Sequence, residues 1–257
     1  MLGAIIGDLA GSVYEFEQVN HHSKVEVENI IEQNAFYSDD TILTVAIADA
    51  ILNNTSYEDK LREYALKYNN FIPKNIPYFK TMFSPNFVKW AEEGGIGVSE
   101  GNGAMMRISP VGFLFNSEKD VVKNVYLTTV PSHNSESAIK CATTIALIIF
   151  YSRKGMSKAE IIDKLNLEIV KPQISHFNYT CKDTIDLCLY SFFQANSFEE
   201  CLKLAISFGG DTDTNACIVG SMAEAFYGID KNLKQEALNK LPPQFIDIIN
   251  EFYRNVD

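Results

Sequence analysis

The segment Thr41–Leu52 reads TILTVAIADAIL, and its spacing predicts the class of fold for the whole chain. Residues that share one face return at intervals of three and four, which is the period of a helix with a buried side. That face consists of Ile42, Val45, Ala46, Asp49 and Ala50. The segment therefore predicts a helix of about three turns.

The same period recurs along most of the chain, and no run of alternating apolar and polar residues indicates a strand. The further helical segments are 57–69, 120–129, 135–151, 157–165, 183–195, 197–208, 214–227 and 243–255. Two segments interrupted by proline, 70–103 and 171–179, are predicted to be loops. Since no linker or internal repeat divides the chain, we expect residues 1–257 to form a single all-α domain.

The composition is that of a soluble globular protein without a general affinity for polyanions. Of 257 residues 46 % are hydrophobic, and 22 basic against 33 acidic residues give a net charge of −11. This charge repels nucleic acids and anionic membranes, so a phosphate-bearing ligand has to be held by local contacts. The longest apolar stretch, 141–151, is well short of the roughly 20 residues that span a bilayer, so no membrane span is expected.

The N-terminal segment and the cysteines indicate a cytoplasmic protein. Residues 1–14 are apolar, but they have no Lys or Arg ahead of them and include Asp8, which is unlike a signal peptide. The 5 cysteines are scattered without a CxxC pair. This pattern fits a reducing compartment in which the cysteines serve as small core residues.

Two acidic clusters stand directly before predicted helices, SDDT at 38–41 and DTDT at 211–214. Ser, Asp and Thr are good helix caps, and capping is a sufficient explanation for either cluster alone. A helix start needs one cap, however, and each cluster has two carboxylates plus hydroxyls. Such an excess of carboxylates is repulsive unless a cation is bound, and oxygen ligands without His or Cys favour Mg²⁺, Mn²⁺ or Ca²⁺ over Zn²⁺.

The glycine-rich N-terminal segment contains further candidate residues. Gly3, Gly7 and Gly11 are four residues apart, which on a helix makes a smooth strip for close packing. Asp8 and Glu15 are two helical turns apart in an otherwise apolar segment. Each is a candidate metal ligand or acid/base.

A second glycine-rich piece, GNGAMMR at 101–107, has small residues where a backbone can approach a ligand. Its N–H groups can bind phosphate, and the alternative is an ordinary Asn-Gly turn. Arg107 is expected to pair with a carboxylate inside the protein. His133 precedes a long helix, and both a structural and a binding role are open for it.

Taken together, these motifs resemble those of the ADP-ribosylglycohydrolase family in order and spacing. They are GDLAGSVYE at 7–15, SDDT at 38–41, GNGAMMR at 101–107, SHNSESA at 132–138 and GGDTDTNA at 209–216. The resemblance extends from Gly3 to about Gly228 and rests on the combination, because each motif alone is unspecific. It implies a compact orthogonal bundle of α-helices with a site for two Mg²⁺ or Mn²⁺ ions.

The resemblance also implies roles for individual residues. The implied metal ligands are Ser38, Asp39, Asp40, Asp211, Asp213 and Thr214. Ser38 stands where relatives often have Thr and keeps the hydroxyl. Asp40 or Glu15 is implied as the catalytic acid or base. The implied substrate-binding residues are Gly101, Asn102, Gly103 and Ala104 at the diphosphate and His133 near the adenosine.

The function implied by the resemblance is hydrolysis of the bond between ADP-ribose and a modified protein side chain, with arginine first among the acceptors. A small ADP-ribose conjugate is the other expected substrate. Three alternatives from other classes are open, the least favoured being a structural protein that uses the fold without chemistry. A metal-dependent phosphoester hydrolase would release inorganic phosphate, and a toxin-neutralising protein would bind its partner even without Asp213.

Overall fold

The computed structural model describes residues 1–15, 25–72 and 81–256, and the regular structure in these ranges is helical. Two isolated β-bridges, Val98 with His133 and Gly101 with Thr180, are the exceptions. The helices are α1 (Leu2–Gly11), α2 (Asp39–Leu52), α3 (Tyr57–Tyr68), α4 (Pro85–Glu93), α5 (Gly103–Met106), α6 (Ser109–Leu114), α7 (Glu118–Thr129), α8 (Glu136–Arg153), α9 (Lys158–Leu165), α10 (Cys181–Gln194), α11 (Phe198–Ser207), α12 (Thr212–Tyr227), α13 (Lys231–Leu238) and α14 (Pro243–Arg254).

The helices predicted from the three-four period are present, and the all-α fold class is confirmed. The prediction of a continuous loop over 70–103 is wrong, because α4 lies within it; residues 73–80 are outside the described ranges. Ser84 caps α4 by accepting the Phe87 N–H at 3.3 Å, and Pro85 occupies the first turn. Proline there starts a helix, since its missing N–H would have no intrahelical partner.

Further differences concern the starts of two helices and helices that the sequence pattern missed, among them α6 (Ser109–Leu114). The acidic clusters lie within the first turns of α2 and α12, which begin at Asp39 and Thr212, and not ahead of these helices. Helix α13 was not predicted from the sequence. The segment 171–179 contains no helix, as expected.

The buried side chains form one continuous core with α1 and α12 at its centre. Every residue of α1 is buried, and α12 is buried from Thr212 to Glu224. These two helices form the most extensive helix pair, and α11, α8 and α10 surround α12. All five cysteines are buried and unpaired, which agrees with their expected role as small core residues. No helix in the described ranges meets the length and apolarity that crossing a membrane requires.

The glycines of α1 form the packing strip that their spacing predicts. A Cβ on Gly3 would lie 2.2 Å from the Gly220 carbonyl oxygen, and a Cβ on Gly7 would lie 2.0 Å from the Ala216 carbonyl oxygen. A Cβ on Gly11 would lie 2.2 Å from the Thr212 carbonyl oxygen. As the residue number increases along α1, the number of the contacting residue in α12 decreases. The two helices are therefore antiparallel, and the end of α1 meets the beginning of α12.

Gly7→Ala should lower the free energy of unfolding by about 2 kcal/mol or more, because the added methyl collides with backbone atoms that have no free space to move into. Helix propensity alone predicts the opposite sign, a gain of about 1 kcal/mol. Denaturant unfolding of the variant and the parent decides between the two. A variant more stable than the parent would show that α1 and α12 are not in backbone contact.

Candidate functional site

The beginnings of α2 and α12 meet inside the protein, although they are far apart in the sequence. The Thr214 hydroxyl of α12 donates to Asp40 Oδ2 of α2 at 3.2 Å. Asp40 Oδ2 also accepts the Ser38 hydroxyl at 3.1 Å. Both helices therefore direct the positive ends of their dipoles towards the same acidic cluster.

The carboxylates of this region form two groups that share Asp213. In one group, oxygen atoms of Asp8, Asp40 and Asp213 lie within 4.8 Å of one another. In the other, the same holds for Glu15, Asp211 and Asp213. Helix α1 ends at Gly11, so Glu15 does not continue the helix of Asp8 as the sequence suggested. Both carboxylates reach Asp213 nevertheless.

Asp39 is the remaining carboxylate of the predicted ligand set, and it is partly exposed beside the two groups. Burial of its carboxyl group, followed by the charges of Asp213 and Asp8, raises its pKa from 3.8 to about 8. The carboxyl group of Asp39 therefore interacts electrostatically with the same cluster, although the residue is less buried than Asp8 and Asp213.

Burial and mutual repulsion raise the pKa of every carboxyl group in the two clusters. The pKa of Asp8 is raised from 3.8 to about 7, by burial first and then by the charge of Asp213. Burial is also the largest cause at Asp40, Asp211, Asp213 and Glu15, and neighbouring carboxylates add to it. Among the ion pairs of the described ranges, none joins a Lys or Arg to these groups.

A hard divalent cation fits this donor set. Asp40 Oδ1 is buried and has no hydrogen-bond partner in the described part of the chain, so it is available to a cation. Capping explains Ser38, whose hydroxyl accepts the Asp40 N–H at 3.3 Å. It does not explain Asp211, which sits at the start of α12 without capping it. Buried carboxylates without a cationic partner are either protonated or bound to a metal ion.

Asp8 organises the beginning of α2, a role that the sequence did not reveal. Its Oδ1 accepts the Ser38 hydroxyl at 2.8 Å, and its Oδ2 accepts the Ser38 N–H at 2.9 Å. Oδ2 also accepts the Thr41 hydroxyl at 2.5 Å and the Thr41 N–H at 3.1 Å. Hydrogen bonds thus occupy both oxygens of Asp8, and they fix the backbone that carries Asp39 and Asp40.

Asn178 holds the other cluster in a similar way, and sequence reasoning missed it because it lies in a predicted loop without a motif. Its Oδ1 accepts the Asp211 N–H at 3.0 Å, and its Nδ2 donates to Asn215 Oδ1 at 2.7 Å. Gly210 has a φ of 76°, and a Cβ there would lie 2.0 Å from Asn178 Oδ1. A glycine is required at that position for both reasons.

The GNGA segment lies next to the acidic cluster. The Asn102 side chain donates to Asp211 Oδ2 at 2.7 Å, so it holds this carboxylate in place. The Asn102 N–H is bonded to the Tyr179 carbonyl at 2.9 Å, and the Gly101 N–H to the Ser99 hydroxyl at 3.0 Å. Gly103 and Ala104 begin α5, where N–H groups have no intrahelical acceptor.

His133 packs against the two glycines of this segment. A Cβ on Gly103 would lie 3.3 Å from His133 Nε2, and one on Gly101 would lie 3.6 Å from it. The other ring nitrogen, Nδ1, is 2.7 Å from the Ser132 hydroxyl. Burial, followed by the positive charge of Arg107, lowers the pKa of His133 well below 6.5, so the imidazole is neutral at pH 7.

The expectation that Arg107 pairs with a carboxylate is wrong. Its guanidinium donates to the Thr128 carbonyl at 3.1 Å and to the Ser132 hydroxyl at 2.7 Å. No acidic side chain in the described ranges lies within ion-pair distance of it.

The family model described as ADP-ribosylglycohydrolase matches residues 1–256. The chain belongs to the ADP-ribosylglycohydrolase family. This family consists of metal-dependent hydrolases that act on ADP-ribosyl conjugates, and the acidic clusters of this chain are groups that could hold a metal ion.

Curated relatives of this chain are distant but cover most of it. ADP-ribosylhydrolase ARH3 of Mus musculus is 22% identical, over 90% of this chain and 83% of its own length. ADP-ribosylarginine hydrolase Tri1 of Pseudomonas putida (strain GB-1) is 22% identical, over 96% of this chain and 72% of its own length.

The fold is also that of a solved structure named ADP-ribosylglycohydrolase-related protein complex. The TM-score is 0.71 at 19% sequence identity, and the match covers 99% of this chain and 95% of the other. At this level of identity the likeness concerns the fold alone.

The metal-free protein should become less stable as the pH rises from about 4 to about 8. An unfolded Asp titrates near 3.8, whereas folded Asp8 titrates at about 7 and folded Asp39 at about 8. In that window the folded state binds more protons than the unfolded state, so the stability falls as the pH rises. The melting temperature in EDTA should fall by several degrees between pH 5 and pH 8, and Mg²⁺ should reverse the fall at pH 8. A melting temperature in EDTA that does not depend on pH would contradict this account.

Asp8→Asn should weaken Mg²⁺ binding about 10- to 100-fold while the protein stays folded, because an amide nitrogen cannot accept the bonds from Ser38 and Thr41. Titration calorimetry with Mg²⁺ measures the change. Asp49→Asn is the matched control, since Asp49 is a buried carboxylate of α2 that contacts Lys60 and Tyr64. Equal Mg²⁺ affinity in the Asp8 variant and the parent would refute the role given to Asp8.

Proposed function

We propose that this protein uses two Mg²⁺ or Mn²⁺ ions to remove ADP-ribose from a modified protein side chain or from a small conjugate. An arginine-linked substrate comes first, because the relative Tri1 bears the name ADP-ribosylarginine hydrolase and matches 96% of this chain. The observation that carries the proposal is the meeting of four buried or half-buried carboxylates around that of Asp213, next to a glycine segment and a histidine.

The proposed metal ligands are members of the two carboxylate groups together with residues beside them. They are Ser38, Asp39, Asp40, Asp211, Asp213 and Thr214. In this proposal Asp213, which belongs to both groups, would contact both ions, and the buried Oδ1 of Asp40, which has no hydrogen-bond partner among the described residues, would bind one of them. When bound, the metal ions orient ribose hydroxyls and lower the pKa of a water molecule.

Asp40 and Glu15 are the proposed acid/base groups, and their surroundings differ. Asp40 is buried and accepts hydroxyl bonds from Ser38 and Thr214 on one oxygen. Glu15 is partly exposed at the edge of the cluster, and burial together with Asp213 and Asp211 raises its pKa well above 4.5. A carboxyl group with a raised pKa suits proton exchange with a leaving group or water.

The diphosphate of the ligand has to bind in a protein with a net charge of −11. The proposed contacts are the segment Gly101, Asn102, Gly103 and Ala104, with His133 at the adenosine side. Arg107 adds a buried positive charge behind His133, and no carboxylate in the described ranges neutralises it. This local positive region offsets the repulsion between the acidic cluster and the phosphates.

Asp213→Asn should lower the rate of ADP-ribose release at least about 100-fold, because it removes the carboxylate common to both groups. Free ADP-ribose is quantified after incubation with arginine-linked and serine-linked ADP-ribosyl protein and with O-acetyl-ADP-ribose, in Mg²⁺, Mn²⁺ or EDTA. The matched control is Asp186→Asn, which removes an exposed carboxylate of α10.

Each outcome of this assay selects one class of function. Release by the parent that EDTA and Asp213→Asn both abolish supports the proposal and identifies the acceptor. Release of inorganic phosphate without ADP-ribose would replace it by a phosphoester hydrolase. An Asp213→Asn variant as active as the parent would refute the metal-centred mechanism.

A further inference from the structure

Arg107 is a fully buried guanidinium group whose charge has no carboxylate partner in the described residues. It is 1% exposed, and its Nε and Nη1 atoms have no hydrogen-bond partner within those residues. Burial lowers its pKa only to about 10, so it remains charged at neutral pH. An unpaired buried charge is costly to the fold, and the contacts of Nη2 indicate what this one does.

The Nη2 atom of Arg107 determines which partner donates in the hydrogen bond between the Ser132 hydroxyl and His133. Nη2 donates to Ser132 Oγ at 2.7 Å, and a guanidinium group can only donate. The single hydroxyl hydrogen of Ser132 is then free for His133 Nδ1, which lies 2.7 Å from Oγ. Along this path Ser132 accepts from Arg107 and donates to His133.

The guanidinium also opposes a proton on His133 Nδ1 directly. Nη2 lies 3.5 Å from Nδ1, so an N–H at Nδ1 would face the N–H groups of a cation. The ring is neutral, and one of its two nitrogens carries the proton. Both contacts therefore assign that proton to Nε2.

Nε2 is the ring atom that faces the glycine segment. It makes no hydrogen bond to another described residue. Because Gly101 and Gly103 have no side chains, none stands between Nε2 and the backbone of these two residues. An N–H at this position is a donor with a free direction towards whatever binds over the two glycines.

We propose that Arg107 and Ser132 are positioning residues that hold His133 as its neutral Nε2–H tautomer. The Nε2–H then offers a hydrogen bond to an anionic oxygen of a ligand bound over Gly101 and Gly103. That this oxygen belongs to the diphosphate of ADP-ribose, at the end next to the adenosine, rests on the proposed function. The tautomer itself is a property of the ligand-free protein.

The tautomer is measured first, in ligand-free parent protein labelled with ¹⁵N at histidine, by long-range ¹H–¹⁵N correlation at neutral pH in EDTA. His133→Gln identifies the His133 signals, and the exposed His176 is the internal comparison. We expect a protonated Nε2 and an unprotonated Nδ1. A protonated Nδ1, or a ring protonated at both nitrogens, would overturn the inference without any variant having to fold.

The positioning role is tested with Ser132→Ala, Ser132→Thr and Arg107→Met, each checked for folding by circular dichroism. Ser132→Ala should allow the Nδ1–H tautomer to appear and should weaken ADP-ribose binding about tenfold, as expected for one lost hydrogen bond. Ser132→Thr retains the hydroxyl and should restore both readouts. Arg107→Met removes the charge and should also produce a mixture of tautomers.

The outcomes separate this inference from the proposed function. Failure of the parent to bind ADP-ribose, together with the Nε2–H tautomer, would refute the function and support the positioning of His133. A Ser132→Ala variant with the parent's tautomer and affinity would overturn the positioning role and leave the hydrolase proposal standing. A purely structural role of Ser132 would lower the melting temperature without changing the nitrogen signals.

Discussion

Between α1 and α12 there is no room for a β-carbon, and the geometry of the site depends on this close approach. Gly7 and Gly11 bring the backbone of one helix against the carbonyl groups of the other. The Thr212 hydroxyl donates to the Gly11 carbonyl at 2.9 Å and fixes the register. Because the helices are antiparallel, Asp8 and Asp213 come together from opposite ends of the chain.

From this helix pair, hydrogen bonds extend to every other part of the site. Asp8 holds the start of α2, and Thr214 connects α12 to Asp40. Asn102 and Asn178 then hold Asp211 from the side of α5 and α10. Without a cation, these hydrogen bonds oppose the electrostatic repulsion between the carboxylates. The low dielectric constant of the interior strengthens both the hydrogen bonds and the repulsion.

Periodicity in the sequence predicted most helices and the glycine strip, because a helix face is a local property of neighbouring residues. The two acidic clusters were also visible, since their composition exceeds what a cap needs. Helix α4 was not predicted, because proline usually interrupts a helix, whereas Pro85 occupies the first turn, where proline starts one. Asn178 and the partners of Arg107 were missed, since such contacts join segments that only the fold brings together.

The hydrogen bond from Asn102 to Asp211 has a thermodynamic consequence. One amide connects a proposed metal ligand with the segment that packs against His133, at a distance of 2.7 Å. If ligation shifts Asp211, the glycine segment shifts with it, and the two binding equilibria share a coupling free energy. Linkage is reciprocal. If a bound metal ion raises the affinity for an organic ligand at this segment by some factor, the organic ligand raises the affinity for the metal ion by the same factor.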